Sequence, residues 1–182
     1  ISQFRDFENK VLLRESLCAI QCEIQKHIED TLYTDEYLVR FFELLKMLNL
    51  KDQATELVEL AVKQCNTQEV DIVLAGRYVS AYLAVNDTIT PTMEAFVKQL
   101  PEHLGTSYVI SRQILNQVFS EKILTDRELV ELLNKSFANL LVTNVEKRDD
   151  FVKSFDFDFS ESDYPDIYHY SREKSRDLAE PE

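Results

Sequence analysis

The chain has 182 residues, a formal net charge of −13 and only two glycines, Gly76 and Gly105. Average usage would supply about a dozen glycines, and their scarcity excludes glycine-rich phosphate loops, dinucleotide fingerprints and folds of many tight hairpins. With 45% hydrophobic and 29% charged residues, the chain can bury one substantial core and reads as all-α.

Apolar residues recur at spacings of three and four almost throughout. Phe4, Phe7, Val11, Leu13, Leu17, Ile20, Ile24 and Ile28 predict one long helix over 3–32. Val11, Leu12 and Leu13 are consecutive, so this helix carries apolar residues on more than one face. Thr34 precedes Asp35 and Glu36, the pattern of an N-cap followed by acids that suit the helix dipole. Leu38, Phe41, Phe42, Leu45 and Leu48 form the expected buried stripe of the second helix, with a turn over 49–52.

Ala54, Leu57, Val58, Ala61, Val62 and Cys65 give the cleanest amphipathic pattern in the chain. Thr67 is the expected cap of a fourth helix that carries Val70, Val73, Leu74, Ala81, Tyr82 and Val85, with Gly76 inside it. Thr90 and Pro91 start a fifth helix, and Pro101 is expected to end it. Ile110, Ile114, Leu115, Val118 and Phe119 mark the next helix. Thr125 and Glu128 stand at capping-box spacing ahead of Leu129, Leu132, Leu133, Phe137, Leu140 and Leu141. A last helix is expected near Val145, containing Val152 and Phe155. Loops of two to six residues imply antiparallel neighbours. The expected fold is therefore a seven- or eight-helix bundle or a short helical array over 1–150, followed by an acidic aromatic C-terminal tail over 151–182. Serial amphipathic helices on short loops resemble helical-repeat scaffolds of the HEAT-like kind, without a repeat signature that assigns a family.

Cys18 and Cys22 lie one helical turn apart with His27 nearby, which raises a metal site. Structural zinc takes four ligands, usually at knuckle spacings that this chain lacks. Core packing as small hydrophobes is the expectation for both thiols, and for Cys65. Three cysteines without a basic leader and apolar segment imply reduced thiols in the cytoplasm or nucleus. His27, His103 and His169 sit in polar neighbourhoods and are expected at the surface. No nucleophile elbow or paired-histidine motif is present, so no catalytic, cofactor-binding or metal-binding residue is assigned.

The net charge repels phosphate backbones and anionic membranes. The one adjacent basic pair, Lys147-Arg148, is followed at once by Asp149-Asp150. The expected partner is another protein, a basic one being favoured, with neither nucleic acid nor membrane contacted directly. The acidity is concentrated: from Asp149 onward there are eleven acids and four bases, −7 of the −13. The same stretch holds Phe151, Phe155, Phe157, Phe159, Tyr164, Tyr168 and Tyr170. Solvated acidic tails are poor in aromatics, so this one is expected to dock with rings inward and carboxylates outward. It docks either on its own bundle, with the last ten residues frayed, or on another protein.

Ser154-Phe155-Asp156-Phe157-Asp158-Phe159 resembles the Phe-Asp-Phe motif by which decapping and mRNA-repression factors dock on a DEAD-box RNA helicase, which implies a helicase partner. The alternation of rings and acids also resembles segments of histone chaperones, which implies a basic partner. The expected function is that of a non-enzymatic interaction domain, a scaffold or adaptor, within a larger intracellular protein. Its candidate contact residues are Leu12, Phe155, Phe157, Phe159 and Tyr164, and Leu12 serves either a partner or a second copy of the chain.

Overall fold

The computed structural model describes the backbone of residues 2–27, 31–67 and 71–179, and within it the side chains of 7–27, 34–67 and 71–176. Among these residues there are nine α-helices, one 3-10 turn and no strand. The chain divides into two compact units, Ile1–Phe96 and Val97–Glu182. The boundary falls inside the fifth helix, and 151–182 belongs to the second unit.

The first unit contains α1 (Ser2–Lys26), α2 (Thr31–Met47), α3 (Lys51–Asn66), α4 (Ile72–Val85) and the start of α5 (Pro91–His103). Most of the circumference of α4 is apolar or small: Ala75, Gly76, Tyr78, Val79, Ser80, Ala81, Tyr82 and Leu83 are all buried. Such a helix is stable only when enclosed. Both α2 and α3 pack on it, and α1 packs on α3. Phe42 meets Tyr82 edge-on with ring centroids 6.0 Å apart, and the Tyr82 hydroxyl lies 3.2 Å from Thr55 Oγ1. Burial pushes the Asp35 carboxyl above its ordinary value, and Arg77 of α4 partly offsets that.

Three helix ends differ from expectation. The first helix stops at Lys26, and His27 donates its N–H to Ile24 O at 3.0 Å; Ile28 lies outside the described residues. Since α2 begins at Thr31, Thr34 is no cap but a buried residue one turn before Leu38. Its place on the buried stripe outweighs its capping propensity. Asp71, not Thr67, caps α4, accepting the Val73 N–H at 2.9 Å. Asp71 stands directly before the apolar run, whereas Thr67 closes α3 with its N–H on Lys63 O. Val70 is outside the described residues.

The second unit holds the rest of α5, α6 (Tyr108–Ser120), α7 (Asp126–Thr143), a 3-10 turn (Val145–Lys147), α8 (Arg148–Lys153) and α9 (Pro165–Ala179). Thr90 caps α5 by accepting the Met93 N–H at 3.3 Å. Pro101 lies inside the last turn of α5 rather than ending it; the ring removes one hydrogen bond where only two more residues follow. The α7 capping box is complete: Thr125 accepts the Glu128 N–H, and Glu128 accepts the Thr125 N–H at 3.0 Å. Leu129, Leu132, Leu133, Phe137 and Leu140 are buried, while Leu141 is exposed. Gly105 sits against α7, where an added Cβ would come within 2.9 Å of Thr143 Cβ.

Helix α8 ends before Phe155, which lies in the loop that follows. Sequence patterning missed α9, and it extends through 173–179, where fraying was expected. Pro165 at the first helical position, Asp166 in the first turn and buried Ile167 were the available signals.

Three predictions arise from this packing. Thr125→Ala should lower the unfolding free energy by about 1 kcal/mol in urea titrations at neutral pH. Glu128 is held below its ordinary value chiefly by the Thr125 N–H. A carboxylate so depressed stabilises above its unfolded pKa, and the contribution disappears as pH falls through the folded one. Glu128→Gln should therefore flatten the acid limb of stability. The Tyr78 side chain is wholly buried, and its hydroxyl has no hydrogen-bond partner among the described residues. Tyr78→Phe should thus melt no lower than the parent chain, measured by calorimetry.

Candidate interaction surfaces

In the first unit, Leu17, Ile20 and Ile24 of α1 are buried, but residues 7–16 before them are mostly exposed. Leu13 is half-buried and borders two clefts. The first, of about 370 Å³, has Asn9, Leu12 and Ser16 of α1 on one wall and Phe41 and Leu45 of α2 on the other. Asp52 and Glu56 of α3 complete it, with Leu50 from the preceding turn. Asn49 takes φ 58 in that turn, a conformation asparagine tolerates, and the Leu50 N–H then reaches Leu45 O at 2.8 Å.

Leu12 is 58% exposed. At about 100° per residue it lies on the side of α1 shared with Asn9 and Ser16, away from exposed Phe7 and Val11. Leu44 and Leu48 are also exposed, three and seven residues past Phe41, so they extend the apolar wall of α2 outward from the cleft. This corrects the expected stripe. Leu38 and Phe42 are buried, Phe41 and Leu45 are half-buried, and Leu48 faces solvent. Apolar residues at 41, 42, 44, 45, 47 and 48 span more than one face, and Phe42 is the ring that meets Tyr82 of α4. That width was the available sequence signal for the cleft.

The second cleft, of about 390 Å³, is lined by Lys10, Arg14 and Lys63 together with Glu56 and Glu59. The two sides of Leu13 therefore differ in charge: two carboxylates line the first cleft, and three cations with two carboxylates line the second.

The other four candidate residues lie together in the second unit. Phe155 and Tyr164 are 7% and 6% exposed, and Phe151 and Ile167 are fully buried. Phe155 packs edge-on against Phe151 and Phe119, with centroids at 5.1 and 5.7 Å. Phe157 stacks on Phe119 at 4.2 Å, and Phe159 meets Tyr164 at 5.0 Å. Phe157 and Phe159 are half-buried, whereas Asp156 and Asp158 between the rings are exposed.

Polar ties hold the same segment at each end. The Tyr108 hydroxyl donates to the Asp150 carboxylate, and Arg112 Nη1 lies 3.4 Å from the same oxygen. Burial first, then this hydrogen bond, pushes the Tyr108 hydroxyl above its ordinary pKa. Asn116 donates to Ser154 Oγ at 3.1 Å, and Asn134 donates to Asp163 O at 2.8 Å. A third cleft, of about 380 Å³, is bordered by Phe157, Phe159, Tyr168 and Arg172. Arg172 Nη1 already donates to the Tyr168 hydroxyl at 2.8 Å.

Cys18 and Cys22 are exposed rather than packed in the core, and Cys65 is intermediate. Both lie on the side of α1 turned away from Leu17 and Ile20, a consequence of helical phase. His27 and His169 are exposed beside Glu23 and Glu161, at 3.6 and 3.8 Å. Among the described residues, no three His, Cys, Asp or Glu side chains form a metal-ligand group, and no helix is long and apolar enough to cross a membrane. No protein-family model matches the chain, and neither a curated protein nor a solved structure matches it.

Phe155→Ala should cost about 3–5 kcal/mol of unfolding free energy, because the ring is enclosed by other rings. Phe157→Ala should cost less. Urea titration followed by near-ultraviolet circular dichroism would check this order.

Proposed function

We propose that the chain is a non-enzymatic protein-interaction domain of a larger intracellular protein, cytoplasmic or nuclear, and that the Leu12 cleft is its contact surface. The observation that carries this reading is the exposure of Leu12, Leu44 and Leu48 around a cleft with half-buried Phe41 and Leu45 in its wall. Grooves between helices with exposed apolar borders are a recurrent seat for partner segments. Affinity purification from cells should compare the parent chain with Leu12→Glu/Leu44→Glu. The variant should lose the proteins that the parent retains while melting within about 2 °C of it, since both positions are surface sites. Retention of the same proteins by the variant would contradict the reading. Light scattering separates the occupants: a dimer that Leu12→Glu dissolves would make the partner a second copy.

A second reading rests on the outward groups of the aromatic segment. Exposed Asp156 and Asp158 beside half-buried Phe157 and Phe159 suit a docking segment for a basic partner of the histone-chaperone kind, or for a helicase. Buried Phe155 and Tyr164 would then anchor the segment rather than touch the partner. Asp156→Asn/Asp158→Asn should remove that binding without lowering the melting temperature, whereas truncation before Phe151 would also remove buried side chains.

A further inference from the structure

We propose that the occupant of the Leu12 cleft is an amphipathic helix of a partner protein with lysines or arginines flanking its apolar stripe. This rests on the reading of that cleft as the contact surface and adds the chemistry of what fills it. The cleft lies between two helices, and its apolar side chains come from both walls: Leu12 from α1, Phe41 and Leu45 from α2. A guest helix presents side chains at i, i+3, i+4 and i+7 to such a groove.

The polar groups at the α3 end select the flanks of that guest. Asp52 and Glu56 are one turn apart on α3 and both line the cleft. Like charges at that spacing are mutually unfavourable, and their β-carbons stand about 5–6 Å apart. Two cations one turn apart on a guest helix match both the sign and the spacing. Among the described residues no cation lines this cleft, whereas Lys10, Arg14 and Lys63 line the one on the other side of Leu13. Glu56 borders both clefts, so what is local to this groove is Asp52 and, among the described residues, a lining without cations, rather than the chain's net charge spread evenly.

The test uses the full chain and two labelled helical peptides of about 18 residues, roughly 27 Å long. They share one leucine stripe and differ only in lysine or glutamate on the flanks. Fluorescence anisotropy should show the lysine peptide binding at least about tenfold tighter, with the preference narrowing as salt is raised. Asp52→Lys/Glu56→Lys should reverse the preference. Glu121→Lys/Glu146→Lys, the same change in net charge placed at two exposed positions of the second unit, should leave it intact. Equal binding of both peptides, lost in Leu12→Glu, would overturn the basic-helix assignment and leave the cleft standing as a contact surface. Equal weakening by the two charge reversals would overturn the assignment as well. Failure of both peptides to bind would overturn the contact surface itself.

Discussion

Enclosing α4 is the demand that organises the first unit, because a helix with Ala75, Tyr78, Val79, Tyr82 and Leu83 all buried is soluble only inside other helices. On α2 that demand is met by the face of Phe42, which sits edge-on to Tyr82. Phe41 and Leu45 lie roughly one residue's rotation away, at the edge of the face that α4 uses. There they border the cleft beside Leu13 instead of closing a core. Leu44 and Leu48 continue the same apolar surface into solvent. Unit 1 therefore carries more apolar helix surface than its own packing covers, and Leu12, Leu44 and Leu48 place part of that excess around one groove.

The second unit resolves the same problem in the opposite way. Its acidic segment turns alternate rings inward, so Phe155 and Tyr164 are buried and Asp156 and Asp158 remain in water. Ring–ring contacts from Phe119 to Tyr164 replace a strand ladder, and polar ties at Asp150, Ser154 and Asp163 fix the path of the chain. Burial of this kind leaves Phe157 and Phe159 as the rings with surface to offer. Val109, Leu141, Val142 and Val145 of the second unit are exposed too; the grouping of leucines around one cleft, not the amount of exposed apolar surface, is why the first unit carries the functional proposal.

Periodicity exposed the helices because most have an apolar face that repeats at three and four residues, and α3 is the clearest instance. It located the α7 capping box because Thr125 and Glu128 are local partners. It misplaced the starts of α2 and α4, where two competent cap residues compete and packing or adjacency to the apolar run decides. Helix α9 escaped because its sequence is polar and only Ile167 and the tyrosines mark a face. Leu12 was legible as an extra apolar residue, but the acidic side of its cleft was not: Asp52 and Glu56 join it only once α3 packs against α1. The exposure of Cys18 and Cys22 follows from helical phase, which apolar spacing alone had left open.

The most direct test of the contact surface is photo-crosslinking in cells, with a photoreactive residue placed singly at Leu12, Leu44 or Val142. Val142 is the control, an apolar side chain 84% exposed in the second unit, so general stickiness would act there as strongly. Crosslinks from Leu12 and Leu44 to the same protein, with none from Val142, are the predicted result. An equal set of crosslinks from all three positions, or none from Leu12 and Leu44, would contradict it.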